Sequence, residues 1–174
     1  MKKIIIMLAI ISLCMYYFKF NKNEVVTIPN EAIRFRVLAN SNSLEDQNIK
    51  KNISDKMKYE LYNKLKDTKN INEARSVIND NMDDFDTLLK NEMKDKPYSY
   101  TIDYGIHTFP KKEYKGVVYK EGNYESLLVT LGKGEGDNFW CVLFPPLCIT
   151  EVEETNKNDV EYKFFIKEIL DKYF

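Results

Sequence analysis

Along this chain the spacing of apolar residues runs from two to four and back to two, and that succession of periods predicts the fold. In AIRFRVLA, residues 32–39, Ile33, Phe35 and Val37 fall on one side of an extended chain, with Arg34, Arg36 and Leu38 on the other. That is the pattern of a strand with one buried face. The next four residues, NSNS, are turn and cap formers, and Ser43 with Asp46 resembles a capping box in which Asp replaces Glu or Gln. Ile49, Ile53, Met57, Leu61 and Leu65 then recur at steps of four, one stripe of an amphipathic helix reaching about residue 67. KDTKN interrupts it. Asn70 and Glu73 form a second capping pattern, and Ile71, Ala74, Ile78, Met82, Phe85, Leu89 and Met93 mark a second helix that Pro97 closes.

Beyond Pro97 the period returns to two. In YSYTIDYGIHTF, Tyr98, Tyr100, Ile102, Tyr104 and Ile106 share a face. Further strands are expected near 114–119, 125–131 and 139–144, with KEGNY and GKGEGDN as their turns. A last helix, about 158–172, starts acidic and ends in lysines, as the helix dipole favours. An N-terminal strand, two amphipathic helices, a block of strands and a C-terminal helix predict an α+β fold with a mostly antiparallel sheet.

The first 20 residues stand apart. MKK precedes an uncharged, mostly apolar run from residue 4 to 18. This fits a signal peptide or a signal anchor, although it is shorter than the roughly 20 residues that span a bilayer as a helix. Residues 21–31 read as a polar tether, and 32–174 as one domain. Export is therefore expected, with membrane association through residues 4–18 before or without cleavage. Three of the 26 basic side chains, and none of the 27 acidic ones, lie in the first 20 residues. The remainder is mildly acidic, and no basic stripe suggests nucleic acid.

An exported domain whose remaining cysteines are Cys141 and Cys148 reads first as disulfide-bonded. A bond between them would close a small loop, for about 2–3 kcal/mol on the chain-entropy model. One histidine and two cysteines do not make a structural zinc site, and no cofactor is implied. GKGEG runs into a strand rather than a helix, so it is a hairpin loop and not a phosphate cradle. A Cys141 or Cys148 thiolate with His107 as base is conceivable, and a disulfide would remove that nucleophile. Two constellations remain as candidate binding faces. Arg34, Arg36, Asn40, Ser41, Asp46 and Gln47 gather where a strand meets a helix N-terminus. Trp140, Phe144, Pro145 and Pro146 make a rigid aromatic and proline surface, held by the two cysteines, of the kind that loses little entropy on binding.

IRFRVLANSNSLEDQNIK and GEGDNFWCVLFPPLC resemble the two signature segments of the stage II sporulation protein R family. FPKKEYKGVVYKEGNYESLLVTLGKGEG resembles the strand-rich stretch between them, and VEYKFFIKEIL the terminal helix. The likeness runs from about residue 33 to 170. It departs where this chain has Asn42, commonly Asp in the family, and Phe139-Trp140, commonly two tryptophans. The resemblance implies a forespore protein exported to the intermembrane space, where it activates a membrane-embedded aspartic protease of the mother cell that processes a sigma-factor precursor. On that reading the chain is a ligand with no catalytic residues. The alternatives are a secreted hydrolase using Cys141 and His107, and a passive membrane-anchored interaction domain.

Overall fold

A computed structural model describes residues 26–29, 31–114, 117–147 and 159–173. Its elements are β1 (Val26–Thr27), β2 (Ile33–Leu38), α1 (Leu44–Leu65), α2 (Ile71–Asp80), α3 (Met82–Met93), β3 (Tyr100–Phe109), β4 (Lys112–Tyr114), β5 (Val117–Tyr119), β6 (Gly122–Leu131), β7 (Asn138–Phe144) and α4 (Asp159–Tyr173). The α+β expectation holds. A four-stranded sheet in the order β3-β6-β2-β7 is accompanied by a small sheet, β1-β5-β4. Two pairings are parallel, β2 with β6 and β1 with β5; β3–β6, β2–β7 and β4–β5 are antiparallel. The apolar N-terminal run and residues 148–158 lie outside the described residues. Among those described, no helix is long and apolar enough to cross a membrane.

Period-four spacing decides the helical side of the molecule. Ile49, Ile53, Met57, Leu61 and Leu65 are all buried against Ile33, Phe35, Val37, Leu127 and Val129. Each such side chain contributes about 1.5–3 kcal/mol relative to exposure. Ala74, Ile78, Phe85 and Leu89 of α2 and α3 join the same cluster. The single second helix expected over 71–93 is broken at Asn81, whose backbone leaves the helical region at φ −113°, ψ 12°. Asn79, Asp80 and Asn81 in succession are weak helix formers, and the Asn81 side chain turns back to donate to Val77 O at 2.7 Å.

The opposite face of the main sheet is covered too, so β2 is buried on both sides rather than one. A second cluster of Ile28, Ala32, Val117, Tyr119, Val142, Leu147 and Ile166 lies there, with Trp140 packed against it. The expected polar tether accordingly includes structure. Val26 and Thr27 pair with β5, and Ile28 is fully buried. The expected 114–119 strand is two short ones, β4 and β5.

Candidate functional site

Both predicted constellations fold, and each is used largely inside the molecule. Ser43 caps α1 by accepting from the Asp46 N–H at 3.1 Å. Asp46 does not return the bond, as a capping box would. Its carboxylate instead accepts from Ser41 Oγ at 2.6 Å and Asn40 Nδ2 at 2.9 Å on one oxygen, and from the Tyr98 hydroxyl at 2.8 Å on the other. These bonds from Ser41, Asn40 and Tyr98 hold the Asp46 pKa down at about 2. Burial, and then the same carboxylate, push the Tyr98 phenol up.

The NSNS loop is in turn bonded to the glycine-rich loop before β7. Asn40 Oδ1 accepts from Lys133 N at 3.0 Å, Ala39 O from Gly136 N at 2.9 Å, and Asn42 Oδ1 from Asp137 N at 2.6 Å. Gln47 and Lys50 both donate to Asp137 O, at 3.4 and 3.1 Å. The glycines permit this approach. A Cβ at Gly136 would lie 2.2 Å from Ser41 O, and one at Gly132, where φ is +56°, would lie 2.2 Å from Asn40 Oδ1. The two loops therefore form one clamp. At its rim Leu44 is left 80 % exposed at the start of α1, beside exposed Asn42, Glu45, Lys133, Glu135 and Asp137.

Several residues expected to meet a partner lie wholly or partly inside the free molecule. Asp46 is only 7 % exposed, with its carboxylate fully engaged. Arg34 is 0 % exposed, its guanidinium 3.3 Å from the Tyr124 ring centroid and within 5.4 Å of those of Phe109 and Trp140. Among the described residues none of its guanidinium nitrogens has a hydrogen-bond partner; it stacks on the face of Tyr124, whose hydroxyl donates to Lys120 O. Burial lowers its pKa from the usual arginine value. Arg36 is half-buried and donates to Thr108 O at 3.2 Å. Phe144, 2 % exposed, meets Tyr173 edge-on at 5.1 Å between centroids. Pro145 is also buried, and Pro146 and Trp140 are half-buried. Trp140 packs edge-on against Tyr119 at 4.6 Å. Alternation on β2 suggested a single buried face, whereas the small sheet and α4 cover the other.

The Cys141–His107 reading is also corrected. Cys141 is disulfide-bonded, to a partner outside the described residues; Cys148, the expected one, lies there. Cys141 pairs with Phe35 in register and points to the helical side, in the same cluster as Phe35. His107 points the other way, Nδ1 at 2.7 Å from Ser126 Oγ and Nε2 at 2.9 Å from Asp103 Oδ2. Sequence reading missed this relay, since Ser126 is 19 residues from His107 and only the β3–β6 register joins them. Gly105, between Asp103 and His107, leaves the sheet surface clear, with the site of an added Cβ 3.4 Å from Asp103 Oδ2. The order Ser–His–Asp is that of a hydrolase relay, but Ser126 is 0 % exposed on a central strand. A buried hydroxyl reaches no substrate carbonyl. Among the described residues no cluster of ligands could hold a metal.

The described residues thus hold a hydrogen-bonded double-loop clamp, a disulfide-bonded Cys141 and a buried Ser126. The model of the stage II sporulation protein R family matches residues 29–154, so the chain belongs to that family of sporulation proteins. Stage II sporulation protein R of Bacillus subtilis (strain 168) is 42 % identical over 133 residues, which are 75 % of this chain and 59 % of that relative. No solved structure matches.

Proposed function

We propose that this chain is an exported sporulation signal, made in the forespore, that binds and activates a membrane-embedded aspartic protease of the mother cell, leading to processing of a sigma-factor precursor. Family membership supports the sporulation role, and the apolar N-terminal run supports export. A disulfide at Cys141, which we assign to Cys148, suits the oxidising side of a membrane. The observation that carries the ligand reading is the clamp. It joins both resemblance-bearing segments through Asn42, Gln47 and Lys50 on Asp137 and through Ala39 on Gly136, and fixes the rim around Leu44 without offering reacting groups. A ligand activates by binding the active state of its target more tightly than the inactive one, and a rigid rim loses little entropy on doing so.

The test is a titration of the purified chain into membranes carrying the protease and its precursor substrate, following the initial cleavage rate. Saturation near one equivalent, reversed on washing, is the expected result. Full activation by a small fraction of an equivalent, persisting after removal, would replace the ligand with a catalyst. Leu44→Asp is expected to weaken activation at least tenfold with the fold intact, because Leu44 is solvent-exposed in the free chain.

A further inference from the structure

Among the described residues the outer edge of β3 is unpaired from Tyr100 to Ile106. β3 terminates the main sheet and pairs with β6 in unbroken register from Tyr100↔Leu131 to Phe109↔Gly122. Gly132 N–H donates to Ser99 O at 2.8 Å, one step beyond that register. Hydrogen-bonded and non-bonded pairs alternate along an antiparallel ladder, so odd-numbered residues of β3 address β6. The backbone N–H and C=O of Tyr100, Ile102, Tyr104 and Ile106 therefore point outward. Among the described residues no backbone group bonds to them. Natural edge strands are usually short, bulged, or guarded by lysine or proline; this one has ten residues, no bulge, and neither residue type. Ile106 on it is 68 % exposed.

Beside the N-terminal half of this edge runs a groove of about 630 Å³, bordered by β3 and by Lys90, Met93 and Lys94. The Asp86 carboxylate in it is taken by the Tyr100 hydroxyl at 2.9 Å. Lys90 and Lys94 are exposed and have no hydrogen-bond or ion-pair partner among the described residues. We propose that this edge takes an extended, acidic segment of the chain's protein partner as an added strand, its carboxylates lying against Lys90 and Lys94. This rests on the ligand reading above. Unpaired main-chain donors and acceptors in a row select an extended backbone, and two free ammonium groups at one end select carboxylates. A second copy of this chain fits less well. Two-fold antiparallel pairing would set the Ile106 end of one β3 beside the lysines of the other, and Lys111 and Lys112 come before Glu113 beyond that end.

The probe is a blocked octapeptide of alternating threonine and valine with two glutamates at one end. Its twins carry either glutamine in place of glutamate or N-methyl groups on alternate amides. Titrated into the full chain, the parent peptide is expected to slow amide exchange at Tyr100, Ile102, Tyr104 and Ile106 at least tenfold. The methylated twin should bind at least tenfold more weakly, and the glutamine twin about fivefold, without salt dependence. Ile106→Pro should abolish protection, and Lys90→Gln with Lys94→Gln should reproduce the glutamine result. Absence of protection at millimolar peptide, equal binding of the methylated twin, or protection from self-association without peptide overturns the proposal. In the protease titration, a wild-type chain that activates alongside edge variants that activate equally well removes the edge and leaves the function. A wild-type chain that fails to activate removes the function, and the peptide then judges the edge alone.

Discussion

Strand β2 joins two regions built on different rules. On its helical side Ile33, Phe35 and Val37 enter a cluster of some of the most buried apolar residues in the chain, where volume and dryness are what matter. On its other side, and at its end, the occupants are Arg34, Arg36, Asn40 and the Asp46 clamp, where particular partners matter. A buried apolar side chain is satisfied by any neighbour of the right shape. A buried polar one needs a donor or acceptor in one direction. The helical side should therefore respond to mutation by the size of the atoms removed, and the polar side by whether each lost bond is replaced.

Phe35→Ala should mark the upper limit of that scale. It deletes a fully buried ring from the helical cluster, and urea unfolding is expected to show a loss of about 3–5 kcal/mol. Gly136→Ala tests the clamp through shape alone. The new Cβ is directed at Ser41 O, a backbone atom that cannot swing aside, so one loop must move. The expected cost is about 1–3 kcal/mol, with weakened exchange protection confined to the 39–42 and 132–137 loops. A loss at Gly136 as large as that at Phe35 would erase the distinction between the regions.

The same contrast explains what could be read from the sequence. The stripe from Ile49 to Leu65 was legible because a helix repeats its buried positions at a fixed step. The break at Asn81 was not, because apolar spacing passes straight through it while local side-chain bonding ends the helix. Asp46 and Asn40 were legible as a polar cluster beside a cap, while their bonds within the molecule were not. A polar residue beside a cap looks the same in sequence whether it faces water or a glycine loop some ninety residues on. The burial of Arg34 was illegible for a related reason, since alternation on β2 says nothing of the small sheet that covers its second face. The His107–Ser126 pairing depends on the β3–β6 register, which no local pattern encodes.

Arg34→Met asks what an unbonded buried charge contributes. The guanidinium gains stacking on Tyr124, worth about 2 kcal/mol when desolvated, and is set against the cost of removing it from water. Methionine keeps much of the volume without that cost. Thermal unfolding is expected to shift by no more than the equivalent of about 1 kcal/mol, far less than for Phe35→Ala. A loss above about 3 kcal/mol would mean that the charge has an ionic partner, since breaking a buried pair costs that much.

The effect confined to the narrowest range of conditions is the dependence of the clamp on pH. Asp46 has a carboxylate pKa of about 2 against an ordinary 3.8, owing to the bonds from Ser41, Asn40 and Tyr98. The folded state therefore binds this proton less readily than the unfolded one. The stabilisation is complete above about pH 4 and is lost as pH falls through about 2. Asp55 and Glu125 are also held low, burial being outweighed by Lys58 and Lys51 in the first and by Arg75 and Tyr104 in the second. The whole-protein acid curve thus mixes at least these three groups, and the difference between wild type and Asp46→Asn isolates one. Asparagine cannot ionise and returns at most one acceptor, so the variant should be less stable at neutral pH and approach wild type as the pH drops to 2. Two parallel curves would mean that the carboxylate charge does not hold the clamp, and that shape at Gly132 and Gly136 suffices to keep the loops together.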